Sequence, residues 1–167
     1  MVNSGVLQKI ISGGQTGADR AALDFAIAHG IPHGGWYPCG RQAEDGIIPQ
    51  RYQLRETPSP DYAQRTEWNV RDSDATVIFS VATALSGGSQ QTAEFARQHR
   101  KPWLHLSLER DAAAAASKLM SFLRQHQVRT LNVAGPRLSQ EPEVGVFTTQ
   151  TLAELLAYGC ERDSRVA

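Results

Sequence analysis

Three short segments of this chain combine glycine with small polar residues in a way suited to holding an anion. They are Gly13-Gly14-Gln15-Thr16-Gly17, Ser86-Gly87-Gly88-Ser89 with Gln90, Gln91 and Thr92 behind it, and Gly135-Pro136-Arg137. Glycine lets a backbone come close to a ligand, and the first N–H groups of a helix have no partner inside that helix, so a negative group can satisfy them. The first two segments run straight into helical patterns. Arg137 adds a planar fork of donors that matches an oxyanion. The Gly-Lys-Ser/Thr of a P-loop is missing, and "GGQTGA" lacks the rest of the dinucleotide fingerprint, so ATP hydrolysis and hydride transfer are not indicated.

Other polar residues offer chemistry at lower specificity. Glu44-Asp45-Gly46 sits in a long loop, where the acids could chelate a metal, act as acid and base, or stay solvated. Arg41 and Arg51, in the same loop, could close over a phosphate or simply be exposed. Trp36 and Trp68 are candidate stacking faces or plain core. "RTEWNVRDSDA" places Arg65, Asn69 and Asp72 on one helical face, which reads as a structural network, with ligand contact as the other possibility. Asp19 and Arg20 fall in the first turn of a helix, where an acid suits the positive end. The five histidines show no metal-ligand spacing, and no Ser-His-Asp set can be picked out. Cys39 and Cys160 stand far apart and read as unreactive thiols of a reduced compartment.

These residues need a scaffold, and its pattern is an alternation. "VLQKIIS" (Val6 to Ser12) is an apolar run stopped by glycine, and predicts a first strand followed by a helix over Gln15 to His29. "IPHGGWYP" (Ile31 to Pro38) reads as a brief second strand. After it, residues 39 to 60 form a long loop, with Ile47, Ile48, Tyr52 and Leu54 favouring a packed one. Asp61 can cap a helix reaching about Arg71, and "DATVIFSV" (Asp74 to Val81) is the clearest strand in the chain. A helix after Gly88, a strand at "PWLHLSL", a helix begun by Asp111, a strand at "RTLNVAGPR" and a helix over Thr149 to Gly159 complete the series. Alternation at this spacing predicts a single α/β domain over residues 1 to 167, with a parallel sheet and helices on both faces. In such a sheet the three glycine segments share one edge, where open α/β sheets bind ligands.

Composition narrows the partners. Seventeen basic side chains balance seventeen acidic ones, which leaves no field to attract nucleic acid or an anionic membrane. The N-terminus shows no basic segment followed by a long apolar core, and a cytoplasmic location is expected.

The segments "SGGQTGADRAALDFA", "GGWYPCGRQAEDGIIPQRYQLRETPSPDYAQRTEWNVRDSDATVIF", "LSGGSQQTAEFA", "KPWLHL" and "NVAGPR" together resemble a family described as molybdenum carriers, circularly permuted relatives of the YpsA proteins. The match runs from about Ile10 to Arg137. That family is similar to the Rossmann-like superfamily of the LOG nucleotide hydrolases and the DprA proteins. In the LOG order a strand ending in a Gly-Ser-Arg turn comes first; "NVAGPR" resembles it but comes last. The resemblance therefore implies a three-layer sandwich with five strands ordered 2-1-5-3-4, where periodicity alone leaves 2-1-3-4-5 open.

By the same resemblance the ligand is a phosphorylated nucleotide-like or pterin compound, with the molybdenum cofactor (molybdopterin) as the family's label and no protein-ligated metal. The implied binding residues are Gly13, Gly14, Gln15, Thr16, Gly17, Gly87, Gly88, Ser89, Thr92, Gly135 and Arg137. Implied partners are a small anionic ligand and, beyond it, molybdoenzymes; a homo-oligomer is expected, with the Leu-rich last helix serving as interface or core. An alternative is a LOG-like nucleoside monophosphate phosphoribohydrolase. The LOG motif Pro-Gly-Gly-x-Gly-Thr-x-x-Glu falls on Ser86 to Glu94, which puts Glu94 in the acid's position to stabilise a cation-like transition state or activate water. Here Ser86, Gln90 and Gln91 replace the motif's Pro, Gly and Thr. Cys39 stands where the family usually has Lys. A DNA-handling role, which the DprA likeness would suggest, is opposed by the balanced charge.

Overall fold

Five parallel strands form the centre of the protein, and the chain enters the middle of the sheet last. A computed structural model describes residues 7–163, except for the side chains of 160–163. Val6, expected in the first strand, and the Cys160 side chain lie outside the described residues. The sheet strands are β1 (Lys9–Ile11), β2 (His33–Gly34), β7 (Ala75–Ser80), β8 (Trp103–Ser107) and β9 (Thr130–Ala134), in the order β2-β1-β9-β7-β8. Counted along the chain this is 2-1-5-3-4. Ile10 of β1 stands opposite Leu131 of β9, and Thr76 of β7 opposite Asn132. The sequential order that periodicity left open is thereby excluded.

The two faces of this sheet differ, because side chains alternate along a strand. Ile10, Val77, Phe79, Leu106, Leu131 and Val133 belong to the main apolar core, with Phe79 edge-on to Phe147 at 5.5 Å. The intervening positions Thr76, Ser80, His105 and Asn132 are polar. They are partly paired with one another: Asn132 donates to the Thr76 hydroxyl at 3.1 Å, and Ser80 Oγ lies 2.6 Å from His105 Nε2. Burial is complete along β7, whose six residues are all buried.

Helices α1 (Ala18–Ala28), α5 (Ala115–Gln125) and α6 (Val144–Asp163) pack together, while α2 (Tyr62–Arg71) packs on α3 (Gly87–Gln98). Small residues bring α1 close to its neighbours: Ala18, Ala22 and Ala26 recur every four residues and are fully buried. Asp61 caps α2 by accepting the Ala63 N–H at 2.9 Å, as its sequence predicts. The last helix begins five residues before the expected Thr149, and Leu152 and Leu155 are buried in the core.

Asp111 does not start a helix. Ser107 caps a short α4 (Leu108–Asp111), a turn of tighter helix follows at Ala112–Ala114, and Asp111 turns inward. Its carboxylate accepts the Ser107 N–H at 2.8 Å and meets Arg110 at 2.8 Å and Lys118 at 2.6 Å. Burial works against this charge, but the hydrogen bonds from Arg110 and Lys118 hold the carboxyl well below its ordinary range.

"IPHGGWYP" is two strands, not one. After β2 the chain turns at Gly35, and β3 (Trp36–Tyr37) leaves the main sheet to pair with β6 (Arg55–Glu56). Asn69 of α2 enforces the break: it accepts the Trp36 N–H at 2.8 Å and donates to the Trp36 carbonyl at 3.1 Å. Between them β4 (Gln42–Ala43) and β5 (Gly46–Ile47) make a small hairpin. The long loop is packed on the outside of α1, where Leu23, Tyr37, Ala43, Ile48 and Tyr52 form a second apolar cluster with Leu54 against it. Ile47, expected inside, is 68% exposed on β5, opposite Gln42. No helix among the described residues is long and apolar enough to cross a membrane.

Candidate functional site

Because β1, β9 and β7 are parallel neighbours, their C-terminal ends open together, and a cleft of about 410 Å³ lies there under α2. That size falls within the range of small-molecule sites. Gly13, Gln15, Gly88, Ser89, Thr92, Gly135 and Arg137 line it, so residues from all three glycine segments meet. Gly14, Thr16, Gly17, Gly87 and Glu94 are not among the lining residues.

Gly14 lies under the long loop, where a methyl would meet Leu54 at 2.8 Å and Ile48 at 3.3 Å. The Thr16 hydroxyl donates to Glu44 and accepts the Leu138 N–H at 3.2 Å. Gly17 is pressed against Pro136 to Leu138 with a φ of 84°, which only glycine adopts without strain when ψ is −131°. Gly87 sits between the lining residues Ser86 and Gly88. Glu94 is exposed on α3, and its partner there is Gln90 at 3.4 Å.

At the first turn the chain supplies its own anion. The Asp19 carboxylate accepts the Gln15 N–H at 3.4 Å and lies 3.6 Å from the Arg65 guanidinium. Arg65 in turn donates to the Gly13 carbonyl at 2.9 Å and covers Gly13 so closely that any side chain there would collide with it. Burial pushes the Asp19 carboxyl up to about 6, against the pull of Arg65 and of the turn's N–H groups. Arg65 is held below the ordinary guanidinium value by burial, with Asp19 opposing.

The second turn is different. Ser86 precedes α3 without a side-chain cap, Ser89 and Thr92 are buried in its first turns, and the Thr92 hydroxyl donates back to the Gly88 carbonyl at 2.8 Å. Arg137 lines the same cleft, and its guanidinium stands 5.3 Å from the Tyr62 ring centre; Arg65 stands 5.2 Å from the same ring. Two cations thus share one aromatic side chain on the cleft wall. Gln15 completes the lining. Its Oε1 accepts N–H groups from Thr16 at 3.1 Å and Glu44 at 2.9 Å, which fixes the amide and leaves Nε2 buried without a protein partner.

Several residues noted in the sequence work elsewhere. Arg41 donates to the carbonyls of Ile48, Pro49 and Tyr52 and staples its own loop. Arg51 pairs with Asp24 and Tyr52, and Asp45 with Arg20. Trp36 donates to Asp72 at 2.7 Å and packs edge-on to Trp68 at 4.8 Å, so the two rings pair with each other away from the cleft. The expected chain from Arg65 through Asn69 to Asp72 does not form. Arg65 serves Gly13 and Asp19, Asn69 clamps Trp36, and Asp72 binds Arg71 and Trp36. No group of three metal-ligating side chains occurs among the described residues.

Tyr62, Ser80 and Asn132 line the cleft and were not singled out from sequence. Their signal was present for two of them. In "TVIFS" and "LNVA" the polar residues Thr76, Ser80 and Asn132 all fall on the alternate positions from Val77, Phe79, Leu131 and Val133, which gathers them on one face. Tyr62 carries no such mark.

The geometry is matched by the comparisons. The model of the circularly permutated YpsA SLOG family covers residues 10–156, and the chain belongs to this family. The crystal structure of a protein from Syntrophus aciditrophicus SB, described as a proposed molybdenum carrier, has a TM-score of 0.87 to it at 52% identity. That match covers 90% of this chain and 95% of the other. No functionally curated protein matches the chain.

Proposed function

We propose that this member of the circularly permuted YpsA SLOG family binds a phosphorylated small molecule of the pterin or nucleotide class in the cleft and acts as its carrier. The observation that carries the reading is the pairing of Arg137 and Arg65 around Tyr62, in the same cleft as the end of α3 that lacks a side-chain cap. With Asp19 filling the first turn, the phosphate belongs at the second, against Gly88, Ser89 and Arg137. The buried Gln15 Nε2 then supplies a donor for a ring carbonyl or ribose oxygen.

The molybdenum cofactor is the favoured cargo, supported by the name of the Syntrophus protein. The cleft's donors are amides, hydroxyls and guanidinium groups, which suit the phosphate and pterin parts of such a cofactor and leave the metal to be held by the cofactor itself. Titration calorimetry with molybdopterin and with nucleoside 5′-monophosphates tests the reading. Binding that weakens about tenfold or more in Arg137→Ala, with the thermal midpoint unchanged, is the expected result. Release of free base and ribose 5-phosphate would overturn the carrier reading in favour of a hydrolase, and absence of binding by all these compounds would overturn the site.

A further inference from the structure

We infer that Glu44, on the exposed hairpin of the long loop, is a positioning residue that sets Arg137 and Gln15 for ligand binding; this rests on the cleft being the binding site proposed above. Its carboxylate joins two segments that are far apart in sequence. It accepts from the Thr16 hydroxyl on one side, and from the Ser139 N–H at 3.1 Å and the Ser139 hydroxyl on the other. The Glu44 N–H donates to Gln15 Oε1 at 2.9 Å. One residue thereby fixes both the amide whose Nε2 is left for a ligand and the segment that carries Arg137.

That segment needs such a hold. Between β9 and α6 there is no strand or helix, and the turn at Arg137 is closed on itself by the Gln140 and Glu141 N–H groups, both 3.0 Å from the Arg137 carbonyl. Besides the Leu138 N–H bond to Thr16, two carboxylates moor it. Glu141 accepts the Val81 N–H on the β7 side, and Glu44 grips Ser139 on the β1 side. The backbone that carries Arg137 is thus held by a carboxylate on either side, while its guanidinium reaches the Tyr62 ring. Glu44 is itself exposed and is not among the lining residues, so it acts through its neighbours.

The test is a double-mutant cycle read by calorimetry, with guanosine 5′-monophosphate as probe and inorganic phosphate as the smaller control. Glu44→Ala is expected to weaken binding about tenfold, as loss of hydrogen bonds to a charged group would. Glu44→Gln keeps an oxygen for the Ser139 N–H and is expected to recover most of that loss. Combined with Arg137→Lys, Glu44→Ala is expected to add little beyond the Lys variant alone, because both act on one contact. Wild-type binding with an unchanged Glu44→Ala affinity overturns the inference and spares the binding site. Fully additive effects also overturn it, since Glu44 would then act independently of Arg137. If the wild-type protein binds molybdopterin but neither probe, the same cycle is read with molybdopterin; failure to bind any of the three overturns the site, and the inference falls with it. If Glu44→Ala does not fold, Ser139→Ala removes the partner hydroxyl and carries the same cycle.

Discussion

Gly17→Ala separates the glycines that shape the fold from those that face the cleft. At Gly17 the backbone has φ 84° and ψ −131°, a region that costs a side chain on the order of 1–3 kcal/mol. A methyl there would also meet the Leu138 N at 2.9 Å and run into the Pro136 carbonyl, pushing the third turn away and breaking the Leu138 N–H bond to Thr16. Adding about 1 kcal/mol for that bond brings the expected loss to about 3 kcal/mol. For a chain of this size the thermal midpoint should fall by roughly 6–12 °C. Urea unfolding should show a lower midpoint with an unchanged slope. Gly88→Ala is the counterpart: a methyl there meets nothing within 4 Å, and alanine favours α3 by up to about 1 kcal/mol. Stability should hold or rise while binding weakens, because the methyl enters the cleft lining. A Gly17→Ala loss below about 1 kcal/mol, or a Gly88→Ala loss as large as that of Gly17→Ala, would refute the reasoning.

Asp19 gives the protein a pH signature. Its carboxyl rises from 3.8 to about 6 on folding, so its contribution favours the folded state below pH 4 and is lost as pH climbs to 6. The change is about 3 kcal/mol, and Asp19→Asn should flatten that part of the stability profile measured by denaturant unfolding. Asp111 has the opposite sign. Its carboxyl is held low, so its stabilisation is present above the unfolded value near 4 and lost as pH falls; Asp111→Ala should cost about 2 kcal/mol at pH 7, because the buried Ser107 N–H loses its acceptor while Arg110 and Lys118, both half-exposed, return to solvent. A stability that did not fall in Asp111→Ala at neutral pH would contradict that account.

The sequence by itself determined what is local. The strand at residues 75–80 follows from its β-branched and aromatic run, the start of α2 from Asp61, and the turns from their glycines, because each depends on a few adjacent residues. Parallel alternation then put three turns on one edge, and the family resemblance supplied the order that places β9 between β1 and β7.

Tertiary structure decided which of those turn residues face the cleft. Gly17 and Thr16 are taken by Pro136, Leu138 and Glu44, partners from distant parts of the chain. Asp19 became the first turn's own anion only because Arg65, from another helix, settled over Gly13. Asp111 looked like a helix start because a capping acid and a buried acid have the same local sequence; Lys118, seven residues on, chose between them. Local preferences are worth about 1 kcal/mol each, whereas leaving a buried charge unpaired costs several, so the long-range partner prevails wherever the two compete.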